Sequence, residues 1–191
     1  MSDYESDFWG NCANTWHEEQ KQFAYAKRMG LRAYWAVAHP PVYDVEGKSI
    51  IDIGGGPVSI LLKCVNLGTA VVADPAQYPD WVIERYRAHS VAYWMRQGEW
   101  LAGEKVSFDE AWIYNVLTHV DDPARVIESA RVSAQTIRLF EWIEQDPYPG
   151  HPQRLERADL EEWLGASGFV ADVNENGAVG RAFYGVFATN L

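Results

Sequence analysis

The chain has 191 residues, of which 48% are hydrophobic, so it can bury the core of one globular domain. Its formal net charge of −11 argues against a nucleic-acid partner, because proteins that grip a phosphate backbone usually present a basic surface. The acidic start does not resemble a signal peptide, no apolar run suits a membrane span, and two cysteines form neither a disulfide framework nor a metal site. We therefore expect a cytoplasmic protein without membrane association or bound metal.

The first half of the chain alternates between predicted helices and strands. Residues 1–47 are expected to form an N-terminal helical cap, with one helix from Thr15 to Met29 that stops at Gly30 and a second over 31–38. Three strands then alternate with two helices; the strands are 49–53, 70–73 and 91–95, and the helices are 58–65 and 79–88.

The second half continues this alternation. A strand over 110–114 precedes a helix that Asp122 and Pro123 are expected to start, as an N-cap acid and a first-turn proline. The remaining predicted elements are a strand (136–142), a loop (145–152), a helix (159–164) and a closing pair of strands (170–173 and 183–188) around Asn176-Gly177. Alternating strands and helices indicate an α/β fold with a mostly parallel sheet.

The most informative stretch is an apolar strand that reaches Asp52 and continues into three glycines, Gly54, Gly55 and Gly56. The next strand ends at Asp74, about 20 residues further on, which is the layout of a nucleotide-binding β-α-β unit. Glycines let the backbone approach a ligand closely, and the second acid can accept hydrogen bonds from ribose hydroxyls.

The details of the turn distinguish between nucleotides. An NAD site would have a third glycine where Ser59 stands and an apolar residue where Asp52 stands. S-adenosylmethionine (SAM) carries an ammonium and a sulfonium, and it has no pyrophosphate to seat at a helix N-terminus. The stretch resembles the first motif of class I SAM-dependent methyltransferases, acid-x-Gly-x-Gly-x-Gly: Asp52, Gly54 and Gly56 match, and Val58 departs from the last glycine.

Two further stretches are similar to that family. Residues 114–123 resemble the segment after its fourth strand, with Thr118 in place of the usual Glu, and the resemblance implies that Asn115 contacts the methionine half of SAM. The Gly-Glu pair at 98–99 stands where relatives carry Gly-Asp. Glu99 would then accept from the adenine amino group, and the backbone N–H of Trp100 would meet the ring.

The resemblance covers residues 48–189 and implies a Rossmann-like, mostly parallel seven-stranded sheet with helices on both faces and an antiparallel last strand. Residues 48–191 would form one SAM-binding methyltransferase domain behind the cap. Pro75, next to Asp74, would belong to the cofactor site, and Trp16 of the cap could close over it.

The family's activity implies transfer of a methyl group to an O or N atom of a small-molecule or sugar-like acceptor. Ligand sites in open α/β sheets lie beyond the carboxyl ends of the strands. Here His119 would be a general base or would orient its turn, Glu141 would face the acceptor as a second catalytic candidate, and Tyr148 and His151 lie in a loop that could form a lid.

Other readings stay open at this point. Since no residue is a compelling base, the chain could be a SAM-binding partner or sensor that transfers nothing, and a nucleotide-binding oxidoreductase is a third reading. A small-molecule acceptor remains by elimination: no proline follows Asn115 as in adenine-N6 enzymes, no cysteine follows a proline as in cytosine-C5 enzymes, and catechol-type enzymes need an Asp where Asn115 stands.

Overall fold

The computed structural model describes residues 8–9, 12, 15–34, 42–103 and 106–189. Within these ranges the helices are α1 (Thr15–Arg28), α2 (Asp80–Ala88), α3 (Pro123–Ser133) and α4 (Arg157–Leu164), with 3-10 turns at Ile60–Lys63 and Gly98–Gly103. The strands are β1 (Ala33–Tyr34), β2 (Val42–Asp44), β3 (Ile50–Ile53), β4 (Cys64–Val65), β5 (Ala70–Ala73), β6 (Val91–Trp94), β7 (Phe108–Tyr114), β8 (Ala134–Trp142), β9 (Phe169–Glu175) and β10 (Ala178–Ala188).

Seven strands form the central sheet in the order β6-β5-β3-β7-β8-β10-β9. The first five are parallel, and β10 runs antiparallel to both of its neighbours. The predicted sheet with an antiparallel last strand is therefore confirmed. The chain order reverses at β3, between β5 and β7, and such a switch point opens a crevice at the carboxyl ends of the strands.

The central strands are covered on both faces, as their continuous apolar sequences predict. All four residues of β3 and all four of β5 are buried. Successive residues enter opposite layers: Ile50 and Val72 belong to one hydrophobic cluster, Ile51 and Val71 to the other. This period of two fixes which residues remain at the strand ends to build a site.

The cap helix α1 is tied to the sheet by charged groups that are distant in sequence. Glu110 in β7 accepts from Arg138 and Lys48, and these contacts hold the pKa of its carboxyl at about 2 despite its burial. Arg138 also donates to the carbonyl of Met29, at 2.6 Å, just after α1. Lys27 pairs with Glu175 of β9 at 3.3 Å. These contacts join the C-terminal end of α1 to the sheet.

The helix predicted over 58–65 is wrong. The chain there makes one 3-10 turn, Ile60–Lys63, and then the short strand β4, which pairs in parallel with β2. Cys64 accordingly has an extended backbone, with φ −100° and ψ 149°. The backbone groups of Cys64 and Val65 that a helix would use pair with β2 instead.

The second cap helix, predicted over 31–38, is also wrong where the structure describes it. Gly30 ends α1 with φ +74°, and Ala33–Tyr34 then pairs antiparallel with Val42 and Tyr43. Residues 35–38 of that prediction lie outside the described residues. The other predicted strands and helices are present, with ends displaced by a few residues. Among the described helices, none combines the length and apolarity needed to cross a membrane.

Candidate functional site

The turn after β3 requires glycine. Gly54 and Gly56 adopt φ of +73° and +62°, in the left-handed region that side chains disfavour. A Cβ on Gly54 would lie 2.6 Å from Val116, and one on Gly55 would lie 2.5 Å from Oδ2 of Asp52. The three glycines therefore let this turn fit between the loop after β7 and the carboxylate beneath it.

The backbone amides beyond the turn are already hydrogen-bonded within the protein. Ser59 N donates to the Tyr86 hydroxyl at 2.9 Å, Ile60 N to the Tyr114 hydroxyl at 3.0 Å, and Leu61 N to Oγ of Ser59 at 3.0 Å. A dinucleotide site uses the amides of a helix N-terminus at this place to bind pyrophosphate. Here a 3-10 turn replaces the α-helix, and the amides of Ser59, Ile60 and Leu61 already have partners, so the turn suits a ligand without a pyrophosphate.

Asp52 lies beneath the turn. It is fully buried and accepts from the hydroxyls of Ser59 and Tyr114. Burial raises the pKa of this carboxyl to about 7, against the opposing effect of the two hydroxyls. The sequence predicted Asp52 to be a cofactor-binding residue. In the structure it does not line the cleft above it and instead packs against the glycine turn.

Asp74 joins the glycine turn to the loop after β5. Parallel pairing of Ile53 with Ala73 sets the two strand ends side by side. One carboxylate oxygen of Asp74 accepts from Gly56 N at 3.1 Å, and the other accepts from Ala76 N at 2.8 Å. The side chain lies on the wall of the cleft, at the position from which a ribose could be bound.

The segment after β6 forms the opposite wall. Gly98 packs closely, since a Cβ there would lie 2.8 Å from Ile53, and Glu99 follows on the cleft surface. Trp100 points away from the cleft: its indole is 70% exposed and donates to the Gln97 side chain. Its backbone N–H donates to the Gln97 carbonyl at 3.2 Å. The predicted adenine contact through that N–H is therefore not what the structure shows.

We call the depression around the turn the first cleft. It contains about 870 Å³ of empty space open to solvent, and eight of the predicted site residues line it: Gly54, Gly55, Gly56, Asp74, Pro75, Glu99, Asn115 and His119. Trp16 does not line it, and its side chain is 66% exposed. Sequence analysis missed Trp9, Glu18 and Gln22, which the cap adds to the wall. Glu18 and Gln22 lie on α1, where mixed charged and polar residues predict only a solvated helix face, and Trp9 precedes that helix.

The loop after β7 carries Asn115, whose φ of +55° is unusual for a residue with a side chain. Glu141 supports this loop from behind. It is fully buried, and one of its oxygens accepts from Val116 N at 2.9 Å and Leu117 N at 3.0 Å. Burial raises the pKa of Glu141 to about 7. Glu141 was predicted to face the acceptor, but it lines neither cleft and instead holds the loop after β7.

His119 connects that loop to residues 148–151. Its Nδ1 donates to the Gly150 carbonyl at 2.7 Å, which fixes the proton on Nδ1 in the neutral ring. Its ring centroid lies 4.0 Å from that of His151, which in turn stacks on Tyr148 at 4.2 Å. Thr118 Oγ1 lies 3.0 Å from Nδ1 of His151. The predicted lid loop is thus packed directly on His119.

A second cleft, with about 1300 Å³ of empty space open to solvent, adjoins the first. Trp9, Glu18, Asn115 and His119 line both clefts, and we call these four residues the shared wall. A ligand in one cleft can therefore meet a ligand in the other at this wall. Within the described ranges, no group of three or more His, Cys, Asp or Glu side chains is arranged to hold a metal ion.

Comparison with solved structures finds the same architecture. A chain in the complex between the Haloferax volcanii Trm112 methyltransferase activator and a candidate methyltransferase matches with TM-score 0.65 and 16% identity, over 99% of each chain. A SAM-dependent methyltransferase from Thermotoga maritima matches with TM-score 0.59 and 13% identity, over 96% of this chain and 98% of that chain.

A third structure, the 1,6-didemethyltoxoflavin-N1-methyltransferase of Burkholderia thailandensis, contains 1,6-didemethyltoxoflavin and S-adenosylhomocysteine (SAH). It matches with TM-score 0.59 and 17% identity, over 96% of this chain and 86% of that chain. No family model and no curated protein sequence matches the chain. The structural likeness shows that the chain has the Rossmann-like fold of class I SAM-dependent methyltransferases.

Proposed function

We propose that the chain binds SAM in the first cleft and transfers its methyl group to an O or N atom of a small-molecule acceptor in the second. The observation that carries this proposal is the turn after β3. It combines left-handed glycines and the nearby Asp74 with amides already bonded to Tyr86 and Tyr114. That combination fits a nucleoside ligand without a pyrophosphate, and SAM is such a ligand.

The walls of the first cleft give SAM its orientation in this proposal. Asp74, with Pro75 beside it, accepts from the ribose hydroxyls, and Glu99 on the opposite wall accepts from the adenine amino group. The glycine turn and Asn115 then face the methionine half. These residues lie at the carboxyl ends of β5, β6, β3 and β7 in turn, as one extended ligand crossing the switch point requires.

Methyl transfer needs positioning more than it needs acid–base groups. A lone pair of the acceptor attacks the methyl carbon in line with the C–S bond, and the bonding pair stays on sulfur as SAH leaves. The protein holds both partners across the shared wall and keeps water away. In this proposal His119, Asp52 and Glu141 act mainly by holding the loops that position the partners.

The second cleft favours an enzyme over the alternative of a SAM-binding partner or sensor. A sensor needs one ligand site, whereas this protein has two clefts that share four residues. The second cleft holds aromatic and polar side chains around a space suited to a small molecule, and the net charge of −11 speaks against nucleic acid. Methyl transfer to a panel of small acceptors separates the two functions.

The test of cofactor choice is calorimetry with SAH, SAM and NAD. We expect SAH and SAM to bind in the micromolar range, about −8 kcal/mol, and NAD to bind at least about tenfold more weakly. The reason is that NAD would bring a pyrophosphate to amides that already have partners. Tighter binding of NAD than of SAH would refute the proposed function.

A further inference from the structure

The shared wall limits the chemical class of the acceptor, because in the proposed function the acceptor atom that receives the methyl group must lie beside this wall. Among the described residues of that wall, Glu18 is the only acid. Its side chain is 12% exposed, and Lys21 Nζ lies 3.7 Å away, one turn along α1. Burial raises the pKa of Glu18, and Lys21, the Tyr25 hydroxyl and His119 oppose that rise. The ion pair with Lys21 favours the carboxylate form of Glu18. In the proposed function this side chain therefore lies close to where the methyl group is transferred.

The second cleft is suited to a flat ligand. Four aromatic side chains line it, those of Phe8, Trp9, Trp142 and Tyr148. Phe8 meets Trp9 edge-on, with centroids 4.9 Å apart, and Tyr148 is stacked on His151. A planar ring buries its faces against such side chains with little loss of conformational entropy.

A carboxylate beside the reacting atom distinguishes nitrogen from oxygen acceptors. A phenol must become a phenolate to attack, and a nearby negative charge disfavours that ionisation. A carboxylate acceptor would be repelled directly. A neutral nitrogen heterocycle instead becomes positively charged as it attacks, and a fixed negative charge stabilises that development.

Building on the proposed function, we propose that the acceptor is a flat nitrogen heteroaromatic that donates a ring N–H to Glu18 and attacks the methyl group with its other ring nitrogen. The new C–N bond forms from that nitrogen's lone pair as the C–S bond breaks, its pair remaining on sulfur. The cationic ring then loses its N–H proton to the Glu18 carboxylate, which releases it to water.

Calorimetry on the SAH complex tests this with two matched probes, benzimidazole and 1-methylbenzimidazole, which lacks the N–H. The wild type should prefer benzimidazole by about 10- to 100-fold, the scale of a hydrogen bond to a charged group. Glu18→Gln should lose most of that preference, whereas Glu19→Gln, a neighbour that lines neither cleft, should keep it. Equal affinity of the wild type for the two probes, absence of binding by both, or tighter binding of benzoate would overturn the inference.

SAH affinity and turnover separate this inference from the proposed function. If the free protein does not bind SAH, the proposed function itself fails. With SAH affinity unchanged, Glu18→Gln should lower kcat/KM for benzimidazole methylation by at least about tenfold. If SAH affinity falls by the same factor instead, Glu18 is a cofactor ligand and the acceptor assignment is wrong.

Discussion

Asp74 is the side chain on which the proposed cofactor site most depends, because both of its oxygens lie at the junction of two loops. We expect Asp74→Ala to weaken SAH binding by about 1.5–3 kcal/mol, the scale for losing hydrogen bonds to a charged group. Calorimetry measures this loss. Glu84→Ala, an exposed carboxylate on α2 outside both clefts, is the matched control and should bind as the wild type does. Unchanged SAH affinity in a folded Asp74→Ala protein would show that Asp74 does not bind the cofactor.

His119 can act on the reacting atoms or through its loop, and its bond to Gly150 favours the second role. We expect His119→Ala to lower thermal stability and affinity for acceptor or SAH, with less than about tenfold change in turnover at saturation. His119→Asn should restore part of the loss, because an Asn side chain can donate from nearly the same place as Nδ1. A general base would behave differently, with a loss of about 10²–10⁴-fold in turnover at wild-type affinity. That result would contradict the orienting role.

At the scale of elements, the two loops that build the first cleft are each supported by a buried carboxyl. Asp52 lies under the turn after β3, and Glu141 lies behind the loop after β7. Burial raises the pKa of both groups to about 7. A carboxyl whose pKa is raised on folding stabilises the protein below its unfolded pKa and loses that contribution as the pH rises to the folded value.

Stability relative to a Glu141→Gln variant should therefore depend on pH. Between pH 5 and 7.5 the wild type should lose about 1 to 3 kcal/mol of unfolding free energy relative to the variant, since each pKa unit corresponds to about 1.4 kcal/mol. Urea unfolding at the two pH values measures this difference. Glu110→Gln is the sign control: the pKa of Glu110 is lowered to about 2, so the wild type's advantage should change only in acid. A pH-independent gap for Glu141→Gln would contradict the prediction.

The strands of the central sheet were predictable and the connection after β3 was not, for a physical reason. Apolar runs such as 70–73, and 50–53 apart from Asp52, leave little choice but a buried parallel strand. The stretch 58–65 is short and apolar enough for either helix or strand. Its outcome depends on partners distant in sequence. β4 pairs with β2, and the amides of Ser59 and Ile60 donate to the hydroxyls of Tyr86 and Tyr114, 27 and 54 residues away. The sequence of the segment itself does not indicate such distant partners.

At the scale of the whole molecule, the predictable part of the site is the part that the sheet topology determines. Residues at the ends of parallel strands converge, so Asp74 and Asn115 could be placed from sequence on one cleft, and the family resemblance placed Glu99 there. Glu18 and Trp9 could not, because they reach the cleft only through the docking of the cap. That docking brings together residues far apart in the chain, as where Tyr25 of α1 stacks on Phe140 of β8 at 4.4 Å.

The hydrogen bonds of Tyr86 and Tyr114 to the turn bear on how the proposed site would select among adenosine-containing ligands. Cells hold many adenosine-bearing compounds, and ribose and adenine contacts alone cannot tell one from another. In the proposed function, the site can discriminate against ligands with a phosphate chain without a bulky side chain that blocks the phosphates. The amides of Ser59 and Ile60 already donate to the hydroxyls of Tyr86 and Tyr114. The phosphates of a triphosphate or a dinucleotide would therefore lose hydrating water without gaining hydrogen bonds from these two amides.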